Sequence, residues 1–175
     1  MRDSRYDVLF EPVRIGPKVA PNRFYQVPHC AGSAGSEQPG FQSELRGMKA
    51  QGGWGVVCTE YCSIHPTSDD SPYVSARLWD DDDAANLSVM CDRIHDFGSL
   101  AGAELWHGGF QSKNSESRHV RIGPLQGPSD LYVGNYARYA DAEDIVMIQG
   151  WYVDAAIRAR QAGFDVVYVY AAHNE

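Results

Sequence analysis

The sequence predicts a parallel α/β fold, and three observations carry that prediction. Strand-like and helix-like patterns alternate along the 175 residues. One strand pattern, Trp54-Gly55-Val56-Val57-Cys58-Thr59, is a continuous apolar run, as expected for a strand covered on both faces. Four βα-like units are begun, and the fourth lacks its helix. A complete eight-unit barrel takes about 250 residues, so the pattern fits one domain, residues 1–175, forming the N-terminal half of a (β/α)8 TIM barrel. A small doubly wound sheet is the alternative. No Gly-x-Gly-x-x-Gly fingerprint follows the first strand to favour it.

The first strand is expected over residues 24–27 and opens into Ala31-Gly32-Ser33-Ala34-Gly35. A helix follows near 41–49 and gives way to Gln51-Gly52-Gly53, a glycine stop. The second strand covers 54–59. Asp80-Asp81-Asp82-Asp83 precedes a helix over 84–97, where aspartates cap exposed N–H groups and complement the dipole. Leu87, Met90, Cys91 and Ile94 share one face of that helix. Gly98 ends it, and residues 100–105 form a third strand. A long connection runs from about 108 to 140, a length that in compact domains carries function or local structure. The next helix spans about 144–161, with Ile145, Ile148, Tyr152, Ala155, Ala156 and Ala159 apolar, and Gly163 stops it. Residues 165–170 make the fourth strand, placing Val166, Tyr168 and Tyr170 on one face.

Composition narrows the function classes. The chain is 43% hydrophobic and 22% charged, with a net charge of −8, as in a soluble globular protein. An acidic surface argues against nucleic acid and anionic membranes as partners. No apolar run approaches the roughly 20 residues needed to cross a bilayer, and the polar start Met1-Arg2-Asp3-Ser4-Arg5-Tyr6-Asp7 has no signal-peptide core. A cytoplasmic location is expected. Of the four cysteines, Cys58, Cys62 and Cys91 read as reduced and structural. No second Cys or His pair completes a zinc site, so no metal ligands are assigned.

Several polar residues fall where barrel active sites form, at the C-terminal strand ends. Pro28-His29-Cys30 closes the first strand, although a cysteine there, taken alone, is most often a small buried packing residue. Thr59-Glu60-Tyr61-Cys62-Ser63 follows the second strand. Tyr61 in such a loop commonly packs its ring on neighbours. Glu104-Leu105-Trp106-His107 closes the third strand. A buried carboxylate at Glu104 needs a donor, a cation or a proton. Trp106 reads as core, and His107 as structural or cofactor-facing. Tyr170 and His173, three residues apart, meet above the mouth or else are a packed tyrosine and a surface histidine.

Leu9-Phe10-Glu11-Pro12, Ile15-Gly16-Pro17-Lys18, Asn22-Arg23-Phe24 and Val27-Pro28-His29-Cys30 together resemble the start of the trimethylamine and dimethylamine dehydrogenases. These form a branch of the FMN barrels that include old yellow enzyme. Gly40-Phe41-Gln42-Ser43, Ser75-Ala76-Arg77-Leu78-Trp79-Asp80, Glu116-Ser117-Arg118 and Ala162-Gly163-Phe164-Asp165 extend the resemblance along the chain. It implies covalent FMN on Cys30, with Pro28, His29 and Glu104 also contacting the cofactor. It implies Tyr61 as one wall of an aromatic bowl for a small cationic amine, and Tyr170 and His173 as the pair assisting amine oxidation. Tyr61, in place of the glutamine of dimethylamine-specific members, implies a tertiary amine. Ala171 replaces a common glycine, and Asn174-Glu175 departs from the usual continuation.

The relatives so implied continue through four more strands, a 4Fe-4S site and a dinucleotide-fold region, none of whose ligands lie in this chain. Electrons then leave to an electron-transfer flavoprotein, and homo-oligomer formation is left open. Rival readings are histamine or another amine as substrate, a nicotinamide-dependent ene-reductase, and an inactive barrel piece that holds no flavin.

Overall fold

The computed structural model describes residues 3–32, 39–129, 132–173 and 175. The glycine-rich loop beyond Gly32 and the departure at Asn174 therefore lie outside the described residues. A 3-10 turn over Ser4–Phe10 leads into a hairpin of β1 (Val13–Ile15) and β2 (Lys18–Ala20). Strand β3 (Tyr25–Gln26) is followed by α1 (Pro39–Gln51) and β4 (Val56–Ser63). Then come β5 (Ala76–Arg77), α2 (Asp81–His95) and β6 (Leu100–Trp106). Short strands β7 (Arg121–Gly123), β8 (Gly127–Pro128) and β9 (Tyr136–Tyr139) precede α3 (Ala142–Ala162) and β10 (Val166–Val169).

Strands β3, β4, β6 and β10 lie side by side in chain order, all parallel, with one helix in each crossover. This is the half-barrel read from the sequence. The doubly wound alternative falls, because successive strands are neighbours and the order never reverses. Strand β5 extends the far end of β4 by pairing Cys62 with Ala76.

Two apolar layers divide the side chains. Val57, Cys62, Ala101, Ala103 and Leu105 face the helices and pack with Leu87, Met90, Cys91 and Ile94 of α2 and with Ala155 and Ala159 of α3. The inner layer at the N-terminal ends joins Val56, Cys58, Tyr25 and Leu100 to Ala20, Val13 and Ile15 of the hairpin. That hairpin plugs the bottom of the half-barrel.

Several boundaries differ from the expectation. The first strand is two residues long, and β4 runs on to Ser63, so Glu60 and Tyr61 are strand residues. The second helix begins at Asp81, earlier than expected, because the Asp80 carboxylate accepts from the Asp83 N–H at 2.9 Å. Helix α3 opens on a capping box between Asp141 and Asp144. Ile145, expected on its buried face, is exposed. Asp144 takes the inward position in the first turn and pairs with Arg138 instead. Tyr170 stands just past β10, with its N–H on the Leu105 carbonyl at 3.1 Å. The long connection builds its own small sheet, in the order β7-β9-β8. Among the described residues, no helix is long and apolar enough to cross a membrane.

Gly102 lies inside the barrel opposite Cys58. A Cβ there would come within 2.5 Å of the Cys58 sulfur, which is fully buried. Gly102→Ala should therefore cost about 1–3 kcal/mol through overpacking. Gly40→Ala, with open space around the added methyl, should cost nothing. Paired thermal denaturation of the two variants checks this.

Candidate active site

The polar side chains gather at one end because parallel strands bring all their C-terminal ends together. Cys30 follows β3, Tyr61 lies late in β4, Trp106 ends β6 and Tyr170 follows β10. A one-residue bulge in β4 sets which of them face inward. Cys58 pairs with Gly102, but Tyr61 pairs with Glu104, so three residues on β4 span two on β6. Past the bulge, Tyr61 shares the inner face with Glu104, and Cys62 turns outward with Leu105.

Cys30 is exposed, which removes the reading of it as a buried packing residue. Desolvation by its surroundings pushes its thiol up, while the Tyr61 backbone N–H pulls it back down. By contrast, Cys58 and Cys62 are buried thiols pushed by desolvation up to about 11 and about 12, inert as expected. The backbone around Cys30 is held by two residues that the sequence reading did not single out. The Glu60 carboxylate accepts from the N–H groups of Ala31 and Gly32 at 2.8 and 3.1 Å. Arg46 donates to the His29 carbonyl at 2.5 Å and to Gln26 Oε1 at 3.3 Å. The His29 N–H bonds the Thr59 carbonyl at 3.3 Å. The His29 side chain is exposed and Pro28 half-buried, so it is their backbone that shapes this turn.

Tyr61 stands in an aromatic group. Its ring centroid is 4.7 Å from that of Trp106 and 6.3 Å from that of Tyr73, with which it stacks. Its hydroxyl bonds the Asp70 carboxylate, whose other oxygen holds Lys113 at 2.8 Å. The Lys113 ammonium also lies over the rings of Tyr73 and Tyr132, at 5.4 and 4.8 Å. Desolvation first, and Asp70 second, raise the Tyr61 phenol far above its ordinary range. Tyr61 is thus a neutral ring fixed at its hydroxyl end.

Tyr170 and His173 do meet: the Tyr170 hydroxyl and His173 Nδ1 share a hydrogen bond. His173 adopts a left-handed backbone, with φ 55°, which turns its ring back toward the tyrosine. Desolvation, followed by the charge of Glu175, raises the Tyr170 phenol well above its usual value, so it stays protonated. Glu175 also accepts from the Trp106 indole N–H at 2.8 Å. Glu104 is buried, and desolvation together with Glu175 lifts its carboxyl to about 7, against a small opposing pull from His173. Among the described residues no arginine pairs with it and nothing donates to its carboxylate, whose oxygens are not fully enclosed. That leaves a buried acceptor facing the barrel interior, opposite Tyr61 and Tyr168.

His107 is buried in a separate relay. Its Nε2 bonds Thr67 Oγ1 at 3.0 Å, and that hydroxyl bonds His65 Nδ1 at 2.9 Å. His65 stacks on Trp151 at 3.7 Å. Desolvation lowers both imidazoles to about 4, keeping them neutral. His107 serves this structural relay.

An exposed cysteine after the first strand, a buried carboxylate on the third and a Tyr–His pair after the fourth thus converge on one mouth of the half-barrel. The chain belongs to the NADH:flavin oxidoreductase / NADH oxidase family, whose profile matches residues 8–174. It is 49% identical, over 98% of its length, to dimethylamine dehydrogenase of Hyphomicrobium sp. (strain x), and covers 24% of that protein. It superposes on histamine dehydrogenase from Rhizobium sp. 4-9 with a TM-score of 0.92 and 43% identity, covering 98% of this chain and 26% of that one. It also superposes on 6-hydroxypseudooxynicotine amine oxidase from Pseudomonas geniculata N1 with a TM-score of 0.94 and 42% identity, covering 99% of this chain and 26% of that one. The chain thus spans about a quarter of the length of these relatives. The residues present fit a flavin. The Glu104 carboxylate lacks a donor, which the N–H of a flavin pyrimidine edge would be, and the Cys30 thiol stands free at the same strand ends.

The Glu104 shift fixes a pH dependence. Its folded value of about 7 exceeds its ordinary 4.5, so the folded state holds the proton more tightly. Stability without bound ligand should fall as pH rises through that window, by on the order of 1–3 kcal/mol. Glu104→Gln, which does not titrate, should lose this component. Unfolding curves at about pH 5 and about pH 7.5 for both proteins test the linkage.

Proposed function

We propose that this chain is the substrate-binding and proton-handling part of an FMN-dependent amine dehydrogenase. The reaction is oxidative N-demethylation of a small amine, most like trimethylamine to dimethylamine and formaldehyde. The observation that carries the reading is the Tyr170–His173 hydrogen bond, set at the barrel mouth beside Glu104 and at the same strand ends as Cys30. The similarity to proteins named for dimethylamine and histamine oxidation supports an amine as substrate. When bound, FMN takes up the two electrons of amine oxidation. In a longer polypeptide, a 4Fe-4S cluster would carry them on to an electron-transfer flavoprotein.

The chain's own residues supply binding and proton transfer. Cys30 would anchor the cofactor covalently, and Glu104 would accept from its N–H edge. Tyr61 offers a ring face to the substrate cation, an attraction worth about 0.5–2 kcal/mol. An alkylammonium has no free lone pair, so the substrate must lose its proton before it can be oxidised. Tyr170, held as a neutral phenol, bridges the amine to His173: its hydroxyl takes the amine proton and passes its own to His173 Nδ1 along the bond they share.

The acid–base pair is tested by stopped-flow flavin reduction across pH in the full-length protein. His173→Gln and Tyr170→Phe should each slow reduction most at low pH, by about 10²–10⁴-fold, and less at high pH, where free amine is abundant. Their effects should be non-additive, since they share one proton path. Wild-type rates at every pH in both variants would reject the assignment.

Substrate choice turns on Tyr61. Tyr61→Gln removes a ring face and adds a carbonyl acceptor for an ammonium N–H. Losing about 1 kcal/mol of cation–π attraction should shift relative kcat/KM from trimethylamine toward dimethylamine by about fivefold. An unchanged ratio removes Tyr61 from the substrate wall.

A further inference from the structure

Glu60 and Arg46 are both completely buried, and neither belongs to the aromatic wall or to the Tyr170–His173 pair. A charge buried this deeply is costly unless its hydrogen bonds are well used. Here both charges hold main-chain groups flanking one residue, Arg46 reaching the Gln26 side-chain oxygen as well. Arg46 holds the carbonyl of His29, immediately before Cys30. Glu60 holds the N–H groups of Ala31 and Gly32, immediately after it. The Cys30 side chain itself is left exposed between the two grips. Glu60 occupies the β4 bulge, which directs its carboxylate away from the regular ladder. Its second oxygen, Oε1, and Arg46 Nε are buried without a partner. A packed apolar pair would be less costly. What the two charges provide is a fixed direction for one short turn.

We infer that Glu60 and Arg46 are positioning residues that clamp the backbone on either side of Cys30 and so aim its sulfur at the flavin. The inference rests on the reading of Cys30 as the attachment residue. In that attachment the thiol gives up its proton and the ring carbon it joins gives up its hydrogen. One C–S bond forms, and the released electron pair passes to dioxygen, which leaves as hydrogen peroxide. A reaction of this kind depends on approach geometry, where a misplacement of about 1 Å costs about 10²-fold in rate. The two charges do not activate the thiol, because Glu60 raises it by more than Arg46 lowers it; what they supply is position.

The test compares full-length wild type with Cys30→Ala, Glu60→Asp and Glu60→Gln. Two readouts are taken: the share of FMN that stays with acid-precipitated protein, and hydrogen–deuterium exchange at the Ala31 and Gly32 amides. Glu60→Asp keeps the charge opposite Arg46 but withdraws the carboxylate by one methylene. It should lower retained flavin about tenfold and speed exchange at both amides, while total bound FMN and melting temperature change little. Glu60→Gln keeps the reach of the acceptor and should restore most of the retention. If Glu60→Asp does not fold, Arg46→Lys serves, because it keeps the charge but loses the reach to the His29 carbonyl; it should show the same loss. Retention at the wild-type level in the Asp or Lys variant overturns the clamp, whatever the exchange rates do. Flavin fully extractable from wild type, as from Cys30→Ala, would instead overturn the attachment reading, and the clamp with it.

Discussion

The parallel pairing of β4 with β6, broken by one extra residue between Cys58 and Tyr61, determines the chemistry of the barrel mouth. Strand side chains alternate strictly, so a single inserted residue exchanges the two faces from that point on. Without it, the alternation that puts Val56 and Cys58 inside would put Cys62 inside and Tyr61 against the helices. With it, Tyr61 reaches the interior beside Glu104, and Cys62 joins the helix-facing core. The inserted stretch is tied down by its own polar groups. Thr59 Oγ1 accepts the Glu104 N–H at 3.2 Å, and the Thr59 carbonyl accepts the His29 N–H. One irregularity thereby links three strands: β3 through His29, β4 itself and β6 through Glu104.

The two ends of the half-barrel are built on opposite principles. At the N-terminal end the hairpin, Tyr25, Val56, Cys58 and Leu100 make a dry plug, with Gly102 leaving just enough room for the Cys58 sulfur. At the C-terminal end the side chains are aromatic and acidic: Tyr61, Trp106 and Tyr170 with Asp70, Glu104 and Glu175. Ring faces and carboxylates both attract a small cation. The Lys113 ammonium, lying over Tyr73 and Tyr132 with Asp70 as counter-ion, shows that this rim already accommodates one. The same arrangement fastens the long connection between β6 and α3 to the residues just after β4.

How much of this the sequence revealed depended on whether a feature is periodic. The parallel order, the three crossover helices and the Leu87, Met90, Cys91 and Ile94 face follow from repeating apolar spacing and from glycine stops, and were legible. The Tyr170–His173 contact was legible because three-residue spacing after a strand brings two side chains together. The bulge leaves no mark of its own: no glycine or proline interrupts Val56–Ser63, so the apolar run alone ends the strand at Thr59 and places Glu60 after it. A charged residue inside a fully buried strand was the available signal for Glu60, and it becomes readable only once the strand is known to continue. Arg46 was hidden in the same way on the buried face of α1. The small β7–β9 sheet has no sequence signature, because strands this short carry too few residues for alternation to register.

The buried charges finally explain why ligand binding and folding belong together here. Arg46, Glu60, Asp70 and Glu104 are all withdrawn from water, and each costs free energy unless it is compensated. Asp70 has Lys113 and the Tyr61 hydroxyl, Arg46 has main-chain carbonyl and amide acceptors, and Glu60 has two main-chain N–H donors. Glu104 has none of these, and desolvation leaves it holding its proton up to about 7. A ligand that brings a donor to Glu104 would supply a compensation that no described residue gives it. It binds the folded form and not the unfolded one, so its affinity adds directly to stability. A ligand held by that carboxylate would make the barrel mouth most stable when it is filled.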